Sequence, residues 1–320
     1  MRSTEQPRRT LEPRRLLLPL LALALVVSVA ACDGPAGRAG EQRQDQPVRE
    51  GLTDLGRRLP ARIQRAREIK VASDVSYAPV EFYDAFAPDV LDRPVGEPEP
   101  QVRGIDPDLA SELGRKLGVR FVFSNVAFDQ LIPALRQGRH DVVISSMTVT
   151  AERARQISFV EYFQAGTSIM VAKGNPSRIR SLADLCGRTV TLQAGTIHEE
   201  LVARQQRGCG ARPVKTKVLD SGTQVMLEVK YRRADAALAD FPVAAYNAKV
   251  SGGGRDFQVV GEQIEPGPYG IGVRKQDEQL RDALQAALQR IIADRSYDQV
   301  LARWNVNDGA LRTARLAGAP

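Results

Sequence analysis

The sequence predicts an α/β protein of two lobes, each a mostly parallel sheet flanked by helices. Strand-like and helix-like segments alternate along most of the chain, the pattern that builds parallel sheets through crossover helices. A second cycle of the same kind begins after Gly166. The 320 residues are enough for about two domains with a sizeable core.

The first element is an export leader over residues 1–31. Arg2, Arg8, Arg9, Arg14 and Arg15 precede the apolar run "LLLPLLALALVVSVAA", and small residues follow it up to Cys32. The run is marginal for a membrane span and contains Pro19, so it reads as a signal peptide rather than a permanent transmembrane helix. "VAAC" at 29–32 resembles a bacterial lipobox, in which Cys32 receives lipid and becomes the new N-terminus; ordinary cleavage beside an incidental cysteine is the alternative. Residues 32–65, rich in Gly, Arg, Gln and Pro, read as a flexible linker.

From residue 66 the texture changes. "IKVAS" is a strand. "DPDLASELGRKLG" is a helix in which Asp106 can cap, Pro107 suits the first turn, and Leu109, Leu113 and Leu117 share a face before Gly118 stops it. "VRFVFSNV" is a strand, "FDQLIPALRQG" a helix with Pro133 near its first turn, and "DVVISS" a strand. The proline-rich segment 84–103 reads as a surface loop. In the second cycle "TSIMVAK", "TVTLQ", "KTKVL" and "ADAALA" are strands. Among them "SLADL", "GTIHEELVARQQ", "GTQVMLEVKY" and "FPVAAYNAK" are helices. "FQVVG", the Pro/Gly-rich "EPGPYG" and "IGVRK" then lead to a long helix over 277–294 and a short one, "YDQVLARW". These elements assign 66–165 to lobe 1, 166–267 to lobe 2, 268–308 to a return into lobe 1, and 309–320 to a C-terminal tail.

Apolar content of 43% and charged content of 26% are ordinary for a globular protein. The formal charge of +7 falls to +4 once the five Arg and two Glu of the leader are removed. That is weak support for nucleic-acid binding, and no nucleic-acid partner is expected. With Cys32 assigned to lipid, Cys186 and Cys209 remain. An even pair in an exported protein favours a disulfide, which stabilises by roughly 3 kcal/mol. There is no CxxC or His-rich cluster, so neither a metal nor a cofactor is expected.

Ligands bind open α/β sheets at the carboxyl ends of strands. "SDVSYAPVEF" follows the first strand with Asp74, Tyr77 and Glu81. "SSMTVTAER" follows the third with Ser145, Ser146, Thr148 and Arg153. "QAGT" follows a strand of the second cycle with Gln193 and Thr196, and Asp240 closes "ALAD". Taken singly, each also suits a cap or turn, and Thr150 is placed to cap the helix carrying Arg153. Together they are complementary. A guanidinium, hydroxyls and a helix N-terminus suit a carboxylate. Asp240 suits an ammonium, and an aromatic suits an apolar stem. The set describes a zwitterion.

The motifs "GIDPDLASELGRKLG", "LIPALRQGRHDVVISSMTVTAERARQISFVEYF", "LCGRTVTLQAGT" and "ADAALAD" then make the chain resemble the bacterial extracellular solute-binding proteins, family 3, over residues 66 to about 305. These are substrate-binding proteins of polar amino acid ABC transporters. The resemblance implies a periplasmic-binding-protein-like fold of type II, with two hinge strands and a free amino acid enclosed between the lobes. It implies delivery to ABC transporter permease subunits, and a lipid anchor holding the protein at the outer face of the cell membrane. By motif, Arg153 would pair with the ligand α-carboxylate, joined by the Thr148 hydroxyl and the Thr196 backbone N–H. The Ser146 carbonyl and Asp240 would hold the α-ammonium. Tyr77 and Phe128 would sandwich the stem, and Ser145 would line the side-chain pocket. Asp74, Glu81 and Gln193 face the side chain in this reading, which favours arginine, lysine, ornithine or glutamine over glutamate. The alternatives on the same fold are a cyclohexadienyl-dehydratase-like enzyme, for which Asp240 and Glu81 are the candidate acids, and a ligand-sensing lipoprotein.

Overall fold

The computed structural model describes residues 52–83 and 101–318. The export leader, Cys32, the linker up to residue 51 and residues 84–100 of the proline-rich loop lie outside the described residues.

The first half of the chain builds α1 (Ala61–Ala66), β1 (Glu68–Ser73), β2 (Ser76–Tyr77), β3 (Glu81–Tyr83), β4 (Val102–Arg103), α2 (Ile105–Leu117), β5 (Arg120–Asn125), α3 (Leu131–Arg136), β6 (Val142–Val143) and α4 (Ala151–Gln156). The amphipathic pattern of α2 is realised: Leu109, Leu113 and Leu117 are buried, and Gly118 ends the helix in the left-handed region that its missing Cβ permits. β7 (Ser158–Ala172) then runs through both halves. The second half adds β8 (Thr189–Gln193), α5 (Ile197–Gln206), β9 (Lys215–Leu219), α6 (Gly222–Lys230), β10 (Ala236–Asp240) and α7 (Phe241–Val250). β11 (Phe257–Val273) crosses back, and α8 (Glu278–Ala293), α9 (Ser296–Trp304) and β12 (Arg315–Ala317) complete the fold.

Among the described residues one nine-stranded sheet runs β5-β1-β6-β11-β7-β10-β8-β9, with β12 paired to β7. Its two ends are parallel trios, β5-β1-β6 and β10-β8-β9. The antiparallel pair β7/β11 joins them, with register shifts between Val260 and Ile264 and between Ile264 and Gly267. Each trio therefore points its strand C-termini toward the middle of the molecule, where the loops of the two halves meet. A small antiparallel sheet, β2-β3-β4, sits beside them.

Several expectations need correction. The linker does not extend to residue 65: Leu59 and Ile63 are fully buried, and the Thr53 hydroxyl bonds the Lys116 carbonyl at 2.5 Å. The tail is likewise not loose throughout, because Arg315–Ala317 pairs with Glu161, Val160 and Phe159 of β7. "EPGPYG" is not a break but part of β11, whose neighbour β7 supplies the ladder partners. Asp106 is not a cap. It lies inside the first turn of α2, fully buried, and bonds residues of other elements. The cysteine pair is bonded: Cys186 and Cys209 form a disulfide with Cα atoms 5.2 Å apart, at the edge of the core that Leu185 and Leu192 build in the second half.

Candidate functional site

In the first half, β1 and β6 deliver their carboxyl ends side by side. The Asp74 carboxylate accepts hydrogen bonds from Ser76 Oγ at 2.6 Å and from the Phe128 N–H at 3.1 Å. Gln193 Nε2, across the cleft, donates to it at 2.5 Å. Burial nevertheless raises its carboxyl above the usual range, because the charged form loses more hydration than these donors replace. Ser145 Oγ accepts the Asp74 N–H at 3.0 Å and donates to Glu81 Oε1 at 2.8 Å.

Glu81 has no exposed surface, and burial, with the neighbouring Asp106 carboxylate, pushes it well above its ordinary value. Its surroundings thus favour the protonated form far more than an exposed glutamate's would. Asp106 accepts the Ser146 N–H at 2.9 Å and the Tyr162 hydroxyl at 2.7 and 2.9 Å, and burial pushes it up to about 6. Ser146 has φ of +40°, a conformation costly for a residue with a Cβ. The Asp106 bond to its amide helps hold it there.

Thr150 caps α4, accepting the Arg153 N–H at 3.2 Å. The Arg153 side chain turns back into the cleft. Nη1 donates to the Thr148 carbonyl at 2.7 Å, and Nη2 donates to the Gly195 carbonyl of the second half at 2.8 Å. The guanidinium carbon stands 5.4 Å from the centroid of Phe128. Burial draws this guanidinium below its ordinary pKa, with Asp240 opposing the shift.

The second half contributes the ends of β8 and β10. Gln193 closes β8, Thr196 precedes α5, and the Thr196 hydroxyl donates to the Gln193 carbonyl at 2.7 Å. The Asp240 N–H donates to the Tyr77 hydroxyl at 2.9 Å, tying β10 to β2. His198, 2% exposed on the first turn of α5, places Nε2 3.4 Å from Asp240 Oδ1.

These groups surround one cavity of about 330 Å³, including its open mouth. Asp74, Tyr77, Glu81, Phe128, Ser146, Thr148, Arg153, Gln193, Thr196 and Asp240 all line it. Ser145 does not; it stands behind, bonded to Asp74 and Glu81. Sequence reasoning missed Ile197 and His198, which also line the cavity, and Asp106, which holds Ser146 and Tyr162. The clue to His198 was its place two residues after the Thr196 N-cap, on the turn that opens into the cleft. Among the described residues no group of three or more His, Cys, Asp or Glu could hold a metal ion. None of their helices is long and apolar enough to cross a membrane.

Two parallel-stranded halves joined by long crossing strands, with a polar cavity between them, define a protein of the periplasmic-binding-protein fold. The chain belongs to the bacterial extracellular solute-binding proteins, family 3, which it matches over residues 69–307. It is 31% identical to ABC transporter arginine-binding protein 1 of Escherichia coli over 209 residues, 64% of this chain and 82% of that protein. An ancestral arginine-binding protein bound to arginine superposes with a TM-score of 0.65 at 35% identity, covering 74% of this chain and 97% of that one. An ancestral amino acid-binding protein described as a precursor of cyclohexadienyl dehydratase superposes equally well, at 31% identity over 76% of this chain and 97% of the other.

Proposed function

We propose that the protein is the extracytoplasmic receptor of an ABC transporter and captures a cationic amino acid, arginine first, for delivery to a membrane permease. The observation that carries this reading is the polarity of the cavity. Asp74 and Glu81, which share Ser145 as a partner, line it together with Arg153 and with Asp240 of the facing half. A ligand guanidinium beside Asp74 and Glu81 would favour the charged form of both acids, opposing the burial that raises them. Arg153 would pair with the α-carboxylate in exchange for its present carbonyl partners. Thr148 and the Thr196 N–H would join it, and Asp240 with the Ser146 carbonyl would take the α-ammonium. Tyr77 and Phe128 would bound the stem. Charge-assisted bonds of this kind contribute about 1.5–3 kcal/mol each.

The relatives named for arginine support the choice of ligand. Residues 66–165 with 268–308 would act as one lobe and 166–267 as the other, with β7 and β11 as hinges. Lipid on Cys32 would hold the receptor at the outer face of the membrane.

Isothermal titration with arginine, lysine, ornithine, glutamine and glutamate tests the reading. Arginine should bind tightest and glutamate not at all. Asp74→Asn should weaken arginine at least tenfold while leaving glutamine within a few-fold. Equal losses for both would overturn the cationic assignment. Turnover of a cyclohexadienyl substrate would overturn the transport reading.

A further inference from the structure

His198 is the buried polar group of the cavity that the roles above leave unused. Neither ring nitrogen has a hydrogen-bond partner, and the side chain is almost wholly enclosed. An imidazole in such a place forfeits hydration without a hydrogen bond to replace it. Asp240 stands beside it: Nε2 lies 3.4 Å from Oδ1, within ion-pair reach but outside a formed hydrogen bond. A small movement of α5 or of the ring completes that contact.

We propose that His198 is a positioning residue for Asp240 and couples ligand capture to a proton. In its neutral form it leaves the carboxylate to the ligand ammonium; once protonated it pairs with Asp240 itself and disfavours the ligand. This rests on the amino acid-binding reading above. Two effects act in the same direction. The imidazolium neutralises the acceptor, and it places a positive charge beside an ammonium in a site screened from water.

The surrounding groups do not supply the same switch. Tyr77 and Tyr269 both feel Asp240, but burial first and that carboxylate second push both hydroxyls well above their ordinary values. Arg153, on the other side of Asp240, stays charged. On α5 itself, Glu199 accepts the Gly195 N–H at 2.6 Å and Glu200 pairs with Arg204 at 3.9 Å. Asp74 and Glu81 line the same cavity. Asp106, at about 6 behind Ser146, adds a pH dependence of its own, so affinity against pH alone does not isolate His198.

Imidazole NMR does isolate it, because the chain holds two histidines, His140 and His198. His198→Gln assigns the resonances, and His140→Gln does so if the first variant fails to fold. The full chain is titrated from pH 4.5 to 8.5 with and without saturating L-arginine. The His198 midpoint should fall by one pH unit or more when arginine is bound, and that of His140 should not move. Calorimetry near the ligand-free midpoint, in buffers of different ionisation enthalpy, should show proton release on binding that His198→Gln diminishes. If arginine binds and the His198 midpoint stays put, the inference is overturned while the binding function stands. If no amino acid binds at pH 7.5, the proposed function itself fails and takes the inference with it.

Discussion

Asp106 shows how a residue outside the ligand's reach can shape a site. Its carboxylate fixes the left-handed Ser146 and the Tyr162 hydroxyl, and shares its buried surroundings with Glu81. Burial raises it to about 6 from an ordinary 3.8, so between these values the folded protein binds a proton that the unfolded chain has lost. The stabilisation is therefore complete below about pH 4 and is lost as pH rises through 6. The unfolding free energy of the wild type relative to Asp106→Asn should fall by about 2 kcal/mol between pH 4 and 7. Urea melts at four pH values measure it, and a flat difference would contradict the assignment. At this scale the sequence was unevenly legible. Arg153, Thr148 and Asp240 stood out because strand ends expose their motifs. Asp106 and His198 did not, because their roles depend on partners 40 and 42 positions away, Ser146 and Asp240, and no local pattern marks such pairings.

Among the elements, the start of α5 interlocks the two halves. Gly195 has φ of +74°, and a Cβ there would stand 2.9 Å from both Cα and Cβ of Asp129. Its carbonyl also receives Arg153 Nη2. Gly195→Ala should therefore wedge the halves apart and, with the backbone cost of about 1–2 kcal/mol, weaken arginine roughly tenfold or more. Calorimetric affinity checks this; an unchanged value would place the close approach outside the binding state. The disulfide between Cys186 and Cys209 ties the segment before β8 to the end of the α5 region. Replacing both cysteines by alanine should cost about 2–4 kcal/mol of stability, read from denaturant midpoints. Thiol titration of the folded protein should find neither sulfur free.

Element type was legible wherever apolar periodicity was strong, as in α2 and α8. It failed where composition hid a contact. Leu59 and Ile63 sit in an Arg- and Pro-rich stretch, yet both reach the core. The Gly/Pro run of β11 stays extended because β7 pairs with it. Arg315–Ala317 becomes a strand only because β7 leaves that edge open.

Across the described residues, one sheet carries two strand-end loop sets toward each other, and two long strands join them around a common cavity. Cross-cleft bonds already link the halves: Gln193 to Asp74, Arg153 to the Gly195 carbonyl, the Asp240 amide to Tyr77, and the Gly222 amide to Ser76 Oγ at 3.0 Å. A zwitterion with a cationic side chain would exchange the first two for ion pairs, and a micromolar affinity corresponds to about −8 kcal/mol for binding as a whole. In the proposed function Arg153 and the facing acids form one amino acid clamp. Its most direct test is a thermal-shift panel of the common amino acids on the wild type and on Arg153→Ala. Arginine should raise the wild-type melting temperature more than any other amino acid and leave the variant unmoved. A wild type that responds to none of them, or a variant that responds as the wild type does, would contradict it.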